Sequence, residues 1–336
     1  MTKGYIFIDV SYLVFYRFYA LKRWFSIAHK DIEIKDDENW LENKIFMSKF
    51  EDTLLKTILR IAKVNDIDLC NIIFAFDCHR KNIWRHDIMI DFRNNFKKVS
   101  KINDGNDLNT EYKGLREEQH KKQNFTAGGI FDIVRDKILP LFIKANNNKI
   151  LKHKKAEGDD CIAVAVNYLR DVKKDDKNIW IIASDTDYLQ ICDNKTKLID
   201  LKENLINKKH LDDKNITRVE YLLNKILTGD VSDNIFPCQL IPDMIPKLKT
   251  NYNIIIRKNK NNKYKITKTI LTKICGNVVF YNKLKQFMLL DKNDEETYKT
   301  FDLIYIDKTH FIYNQKMIDF NYIPSSINKK VYSLME

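Results

Sequence analysis

The chain has 336 residues, of which 44% are hydrophobic and 31% charged, and its 58 Lys and Arg against 46 Asp and Glu give a formal net charge of +12. This is the composition of a folded protein, and the length suits two compact units or one large one. With only 8 Gly and no GxxxxGK or GxGxxG motif, the sequence argues against a P-loop nucleotide hydrolase and a dinucleotide-binding enzyme.

The apolar segments and the cysteines predict a soluble, intracellular protein with no membrane partner. MTKGYIFIDV carries an acid in its apolar stretch and has no small-residue cleavage site, so it is not a signal peptide. The apolar run at 70–76 is far shorter than the ~20 residues that cross a bilayer. None of the six cysteines is spaced as CxxC, which favours free thiols in a reducing compartment.

The first third of the chain predicts an α/β core. Residues 5–9 form a short apolar run ending in an acid, which predicts a buried strand, and the helix that follows has Ser11 as its predicted N-cap. Residues 41–63 carry the apolar stripe of a helix, and residues 70–76 predict a second buried strand ending at Asp77. This strand–helix–strand alternation favours a mostly parallel sheet flanked by helices.

The middle of the chain interrupts this pattern and then resumes it. Residues 82–98 are basic with interleaved aromatic side chains, and residues 101–124 contain almost no apolar side chain, so they contribute little to a core. Helices are then predicted at 131–142 and 161–169, with strands at 150–151 and 178–183. Beyond residue 205 the pattern is mainly helical, with a final segment ending at Pro324. We therefore predict one domain at 1–205 and another at 206–336.

Acidic residues follow the predicted strands and open the predicted helices. Nine of them form the candidate site: Asp9, Asp77, Glu157, Asp159, Asp160, Asp185, Asp187, Asp230 and Asp233. The carboxyl ends of parallel strands share one edge of a sheet, where ligands bind, so the acids that follow strands should converge. Glu157 and Asp160 are three residues apart and can share a helix face, and Asp230 and Asp233 have the same spacing.

Each acidic cluster alone also has a simpler interpretation. A single Asp after a strand is usually a cap or turn residue, EGDD suits a helix N-terminus, and the acids of ASDTD suit an Asx-turn. Together the clusters favour a metal site, because many carboxylates in one place would repel one another unless cations neutralised them. Oxygen ligands select hard cations such as Mg²⁺ or Mn²⁺. Two such ions in a basic protein are typical of enzymes that cleave phosphodiesters.

These motifs resemble the 5′ nucleases, which include flap endonucleases, the 5′–3′ exonuclease domain of bacterial DNA polymerase I and phage 5′ exonucleases. Five motifs carry the resemblance in order: FIDVSYLVFYRFYA, IIFAFD, EGDD, ASDTDYLQIC and GDVSDNI. The resemblance spans nearly the whole chain. It implies a PIN-like nuclease core at 1–205, a helical arch inserted at about 79–126, and a C-terminal DNA-binding region with a helix–hairpin–helix at 206–336.

The resemblance also implies a role for each site residue. Asp9, Asp77, Glu157 and Asp159 would belong mainly to the first of two Mg²⁺ ions, for which Mn²⁺ would substitute. Asp160, Asp185, Asp187 and Asp233 would belong mainly to the second, with Asp230 nearby. Arg85 and Arg93 would contact the scissile phosphate. The basic residues expected to bind nucleic acid are Arg17, Arg80, Lys81, Lys97 and Lys98.

Three features depart from the pattern of that family. Val10 stands where Gly is usual, and Arg93 stands where Lys is usual. NIFPCQLIPDMIPK lacks the Gly-x-Gly hairpin that normally follows GD-x-x-DNI, so the helix–hairpin–helix is expected to be degenerate and its potassium site is in doubt.

The predicted activity is cleavage of DNA with a free 5′ end or flap, giving 5′-phosphate products, in replication or repair. A nuclease acting mainly on RNA is an alternative, because no residue is identified that reads a 2′-hydroxyl. A non-catalytic nucleic-acid-binding scaffold of the same fold is another. We expect a monomer, and the sequence shows no evident sliding-clamp peptide.

Overall fold

The computed structural model describes residues 4–29, 39–99, 112–114, 128–252, 270, 273, 278–290, 296–297, 301, 303 and 305–336. Contacts between residues divide the chain into two units. The first unit comprises Met1–Ile83, Glu118–Asn215 and Ile323–Glu336, and the second comprises Trp84–Glu117 and Ile216–Tyr322. This division assigns Ile323–Glu336 to the first unit, whereas the sequence-based limit at residue 205 assigns it to the C-terminal domain. The sequence-based domain limits stay a prediction.

A five-stranded sheet forms the centre of the first unit. Its strands are β1 (Gly4–Asp9), β2 (Ile72–Ala75), β3 (Lys149–Leu151), β4 (Asn178–Ile182) and β5 (Thr196–Ile199). Their order is β3-β2-β1-β4-β5, and every pairing is parallel. The chain therefore builds outward from β1 to β3 and then crosses to the other side of β1. The predicted mostly parallel α/β sheet is confirmed.

The helices whose bounds lie in the described part of the chain surround this sheet or form the second unit. In chain order they are α1 (Val10–Ala28), α2 (Lys44–Val64), α3 (Arg85–Val99), α4 (Gly128–Ile133), α5 (Leu139–Asn146), α6 (Gly158–Asn167), α7 (Ile206–His210), α8 (Arg218–Thr228), α9 (Ile245–Tyr252), α10 (Val278–Met288), α11 (Lys308–Ile318) and α12 (Ser325–Met335). A π-helical turn at Val134–Ile138 connects α4 to α5. None of the described helices is both long and apolar enough to span a bilayer.

The core of the first unit follows from the hydrophobic pattern. β2 is buried along its whole length, as expected of a strand covered on both faces. On α2, Phe46, Phe50, Leu54 and Ile58 are fully buried, and their spacing of four residues places them along one face of the helix. That stripe packs into the same apolar cluster as the strands.

Helix α1 begins two residues earlier than the predicted cap indicates, and its cap is Asp9 and not Ser11. Asp9 has an extended backbone, and its Oδ1 accepts a hydrogen bond from the Tyr12 backbone N at 3.0 Å. Ser11 lies inside the helix, and its hydroxyl donates to Asp77. The prediction of Ser11 was wrong because a carboxylate at the end of the strand already satisfies the first free amides of the helix.

The C-terminal segment continues beyond Pro324, where the sequence analysis ended it. Pro324 is the residue before α12, a place that suits proline because the first backbone N–H groups of a helix have no partner within it. Helix α12 packs against α6 and β3 of the first unit. The Tyr332 ring lies 4.7 Å from the Tyr168 ring, and Lys149 Nζ donates to the Met335 carbonyl at 2.5 Å.

The second unit is helical, and α11 is at its centre. Helix α11 contacts α3 and α8. The buried Asn314 donates from Nδ2 to the carbonyl oxygens of Ile226 and Phe236, at 2.9 and 2.8 Å. Of the predicted arch at 79–126, residues 100–111 and 115–126 lie outside the described part of the chain. The arch and the degenerate helix–hairpin–helix therefore stay predictions.

Candidate metal centre

The carboxyl edge of the sheet carries acids from three strands. Asp9 is the last residue of β1, Asp77 comes two residues after β2, and Asp185 comes three residues after β4. β1 and β4 are neighbours at the point where the strand order reverses. Open parallel sheets bind ligands at such a switch point, outside the carboxyl ends of the strands.

Asp9 is buried in surroundings that disfavour its negative charge. Burial raises the pKa of its carboxyl group from 3.8 to about 7, with further upward contributions from the negative charges of Asp77 and Asp185. Hydrogen bonds from the Tyr12 backbone N and the Tyr188 hydroxyl oppose this rise in pKa. The carboxylate is therefore fixed by two donors in a place where its charge is unfavourable without a cation.

Asp77 connects the end of β2 to the starts of two helices. Its Oδ1 accepts a hydrogen bond from the Gly158 backbone N at 2.6 Å, and its Oδ2 accepts one from the Ser11 hydroxyl. A Cβ on residue 158 would lie 3.2 Å from Asp77 Oδ1. Glycine at this position therefore lets α6 approach the carboxylate closely.

The acids of EGDD form a compact cluster at the start of α6. Glu157 and Asp160 form a capping box, in which each side chain accepts a hydrogen bond from the backbone N of the other residue. The bond from the Glu157 backbone N to Asp160 Oδ2 is 3.1 Å long. Glu157 and Asp160 are buried, whereas Asp159 is partly exposed. Each of the three acids offers a carboxylate oxygen within 4.8 Å of the others. The predicted helix N-terminus and the predicted ligand cluster thus coincide.

Asp185 and Asp187 lie at the start of the turn that follows β4. Asp185 Oδ1 accepts a hydrogen bond from the Asp187 backbone N at 2.9 Å and caps the 3₁₀ helix Thr186–Ile191. The Asx-turn that the sequence suggested is therefore present. It holds the Asp185 carboxylate beside Asp9, whose pKa it raises.

Tyr188 is buried among these acids, and the sequence analysis did not single it out. Its hydroxyl donates to Asp9 Oδ2 at 3.3 Å. Burial raises its pKa well above 10.0, and so do the charges of Asp9, Asp159, Asp185 and Asp77. One phenol therefore lies within electrostatic range of acids from four separate motifs. The available sequence signal was a tyrosine directly after the second acid of the strand-end motif.

The donor set of the first unit fits a hard divalent cation. The converging groups are carboxylate oxygens, which Mg²⁺ and Mn²⁺ prefer. The negative charges of Asp77 and Asp185 raise the pKa of Asp9, so positive charge at this edge would relieve their repulsion. Glu157, Asp159 and Asp160 offer three carboxylate oxygens within 4.8 Å of one another.

Asp230 belongs to the second unit and has a lysine neighbour of its own. Its Oδ2 lies 2.9 Å from Lys225 Nζ, and its Oδ1 accepts hydrogen bonds from the Ser232 backbone and hydroxyl. Burial raises the pKa of Asp230, but Lys225 and Ser232 outweigh it and bring the pKa below its ordinary value. Gly229 precedes it with φ +70°, and a Cβ there would lie 2.4 Å from the Ile235 carbonyl oxygen, so this turn requires glycine.

Asp233, also in the second unit, contacts two residues that the sequence analysis left unassigned. The Tyr112 hydroxyl donates to Asp233 Oδ2 at 3.1 Å, and Lys113 Nζ lies 3.7 Å from the same oxygen. The Lys113 backbone N donates to the Asp233 carbonyl at 3.3 Å. The only sequence signal was an aromatic residue beside a cation within a stretch that is otherwise polar.

The predicted basic residues occupy different environments. Arg85 is buried in the second unit, where its Nε donates to the Met317 carbonyl at 2.8 Å and its guanidinium lies 4.6 Å from the Trp84 ring centre. Arg17 is half-buried on α1, and burial lowers its pKa. Arg80 and Lys81 belong to the 3₁₀ turn Arg80–Asn82. The remaining predicted contacts lie outside the described side chains: Arg93, Lys97 and Lys98.

Comparison with known proteins gives structural relatives. No protein-family model matches the chain, and no curated protein matches it. The T5 D15 protein, co-crystallised with metal ions, aligns over 98% of this chain and 97% of its own length, with 15% identity and a TM-score of 0.52. This chain has the fold of the T5 D15 protein.

Two further solved structures are similar over almost the whole chain. A bacteriophage T5 D15 flap endonuclease, in a pseudo-enzyme–product complex with DNA and metal ions, covers 98% of both chains with 13% identity and a TM-score of 0.47. A T5 5′-exonuclease with bound zinc covers 99% of both chains with 12% identity and a TM-score of 0.47. The fold shared with the T5 D15 protein co-crystallised with metal ions agrees with the α/β core that the five sequence motifs implied.

Proposed function

We propose that this protein is a divalent-metal-dependent 5′ nuclease that hydrolyses DNA with a free 5′ end or flap. The observation that carries the proposal is the convergence of Asp9, Asp77, Asp159 and Asp185 around Tyr188 in a chain with a net charge of +12. Carboxylates that bind hard cations and a basic surface that attracts a polyanion are the two requirements of such chemistry. The D15 fold, whose named representatives include a flap endonuclease and a 5′-exonuclease, agrees with it.

The first-unit acids are the proposed main metal ligands. They are Asp9, Asp77, Glu157, Asp159, Asp160, Asp185 and Asp187. Asp230 and Asp233 are proposed as ligands on the strength of the sequence resemblance. When bound, Mg²⁺ or Mn²⁺ would supply Lewis-acid activation of water and stabilisation of charge on the phosphodiester.

The protein's own contribution is to fix the carboxylates before a ligand arrives. The Tyr12 backbone N and the Tyr188 hydroxyl hold Asp9, while Ser11 and the Gly158 backbone N hold Asp77. Donors of this kind orient metal ligands and restrict their rotamers. The acids therefore offer a preorganised set of oxygens at one edge of the sheet.

Arg85 and Arg93 remain the proposed contacts of the scissile phosphate, where guanidinium groups would offset negative charge. Arg85 donates to the Met317 carbonyl and is 3% exposed. For Arg85 to contact a phosphate, the first turn of α3 must therefore move. Arg17, Arg80, Lys81, Lys97 and Lys98 are proposed to bind the nucleic-acid backbone.

The test is cleavage of a 5′ flap, a nicked duplex and a blunt duplex, each with Mg²⁺ and with a chelator. We expect Mg²⁺-dependent cleavage that leaves 5′-phosphate products, and we expect Asp185→Ala combined with Asp187→Ala to abolish cleavage while DNA binding persists. Asp212→Ala with Asp213→Ala, a double change in an exposed turn of the same unit, is the matched control and should remain active.

Cleavage that survives the Asp185 and Asp187 changes would contradict the proposed site. DNA binding without cleavage in the unaltered protein would instead favour a non-catalytic scaffold. A matched RNA flap in the same assay compares the two nucleic acids directly.

A further inference from the structure

Tyr112 and Lys113 form a buried contact with Asp233 inside the second unit. Lys113 and Asp233 side chains are only 11% and 9% exposed, and Tyr112 is 2% exposed. Asp233 Oδ2 accepts the Tyr112 hydroxyl hydrogen bond and faces the Lys113 ammonium, while Oδ1 lies 3.4 Å from the Ser232 hydroxyl. Oδ2 therefore has two partners within the second unit, the Tyr112 hydroxyl and the Lys113 ammonium.

The contact holds residue 113 in an uncommon backbone conformation. Lys113 has φ +58°, in the left-handed region that is unfavourable for a residue with a side chain. Its backbone N donates to the Asp233 carbonyl, and its ammonium lies 5.1 Å from the Tyr112 ring centre. These interactions compensate for the strain, so the conformation of residues 112–114 depends on their contact with Asp233.

Asp233 differs in this respect from Asp9. Burial and the like charges of Asp77 and Asp185 raise the pKa of Asp9 to about 7, so the ionised form of Asp9 is unfavourable in the metal-free protein. Asp233 already has a lysine as counter-ion, and a divalent cation approaching Oδ2 would meet the Lys113 ammonium at 3.7 Å from the same oxygen. Two cations this close to one partly buried oxygen repel each other, so one must leave when the other binds.

We propose that Lys113 is the counter-ion of Asp233 while no divalent cation is bound, and that a divalent cation at Asp233 displaces it and releases residues 112–114. The proposal rests on the proposed function, because it takes Asp233 as a metal ligand. Displacement is reciprocal: the Lys113 contact weakens metal binding by the same factor by which the metal weakens the contact.

The test is calorimetric titration of the full chain with Mn²⁺, without nucleic acid. The relevant binding event is the one that Asp233→Asn removes. Lys113→Gln should tighten this event about 5-fold or more, the lower range of typical coupling between sites. Tyr112→Phe should tighten it less, because the lysine remains. Lys113→Arg keeps the charge and should resemble the unaltered protein, as should Lys56→Gln, which alters an exposed lysine paired with Asp52 in the first unit.

Hydrogen exchange of the unaltered protein provides a second measurement that does not depend on any variant's folding. Saturating Mn²⁺ should accelerate amide exchange at residues 112–114. Equal Mn²⁺ affinity in the unaltered protein and Lys113→Gln, or exchange at 112–114 that Mn²⁺ leaves unchanged or slows, would overturn the displacement proposal alone. Absence of Mn²⁺ binding in every form would remove the proposed metal-dependent function, and this inference with it.

Discussion

Asp9 combines a structural and a chemical role in one side chain. As the N-cap of α1 it satisfies the Tyr12 amide, which stabilises the helix by ~1 kcal/mol. As a member of the acidic cluster it experiences the charges of Asp77 and Asp185. The same position therefore stabilises the fold through a hydrogen bond and destabilises the metal-free protein through charge.

Asp9→Asn separates these two roles. Asparagine still caps the helix but removes one negative charge, so the metal-free free energy of unfolding should rise by about 1–2 kcal/mol, as measured by urea unfolding with a chelator. Because the folded pKa of Asp9 is raised from 3.8 to about 7, the stability of the unaltered protein should fall as the pH rises from the lower value through the higher one. The variant should lack this component.

Asp307→Asn is the matched control, since Asp307 caps α11 through the His310 backbone N in the second unit. It should not stabilise the protein. If Asp9→Asn were no more stable than the unaltered chain without metal, the repulsion inferred at the sheet edge would be absent.

At the scale of elements, α8 connects the stability of the second unit to the geometry of Asp230. Thr217 and Glu220 form a capping box at its start, and Lys225, near its end, pairs with Asp230. A change at the cap therefore affects the helix that supplies the counter-ion. The carboxylate of Glu220 accepts hydrogen bonds from both the backbone and the hydroxyl of Thr217.

Thr217→Ala should lower the free energy of unfolding by about 1 kcal/mol, the usual value of an N-cap. The Thr217 backbone hydrogen bond lowers the pKa of Glu220 below 4.5. The ionised Glu220 carboxylate therefore stabilises the folded protein at pH values above the pKa of Glu220 in the unfolded chain. This stabilisation is lost as the pH falls through the lower pKa of Glu220 in the folded protein. Chemical unfolding across the acidic range would measure this. A pH profile for Glu220→Gln that matches the unaltered protein would contradict the assignment.

The sequence predicted the elements whose signal is local and missed those whose signal is long-range. β1, β2 and β4 were predictable because each is an apolar run followed closely by an acid. β5 (Thr196–Ile199) was missed because it is short and half of it is polar. Ser11 was misassigned because its partner, Asp77, lies 66 positions away. The Tyr112 and Asp233 side chains are in contact although they are 121 positions apart. The spacing of residues within one helix or strand cannot predict a contact over that separation.

At the scale of the whole molecule, the net charge of +12 predicts salt-dependent binding to nucleic acid. Each phosphate contact contributes about 0.7–0.9 to the slope of log affinity against log salt. Lys97→Gln with Lys98→Gln should weaken DNA binding and reduce this slope, measured by fluorescence anisotropy with a chelator present. Lys208→Gln with Lys209→Gln removes the same charge from exposed positions of α7. If both double variants reduced the slope of log affinity against log salt equally, the effect would come from net charge and not from phosphate contacts at residues 97 and 98.

The packing of α12 on α6 and β3 has a consequence for biosynthesis. β3 is an edge strand of the sheet, and the helix that packs against it is translated after the second unit. During translation, β3 therefore lacks its contacts with α12 until residues 323–336 of the first unit have been synthesised. Exposed strand edges can pair with other chains, so we expect the polypeptide to be more prone to self-association during this interval than after α12 has packed.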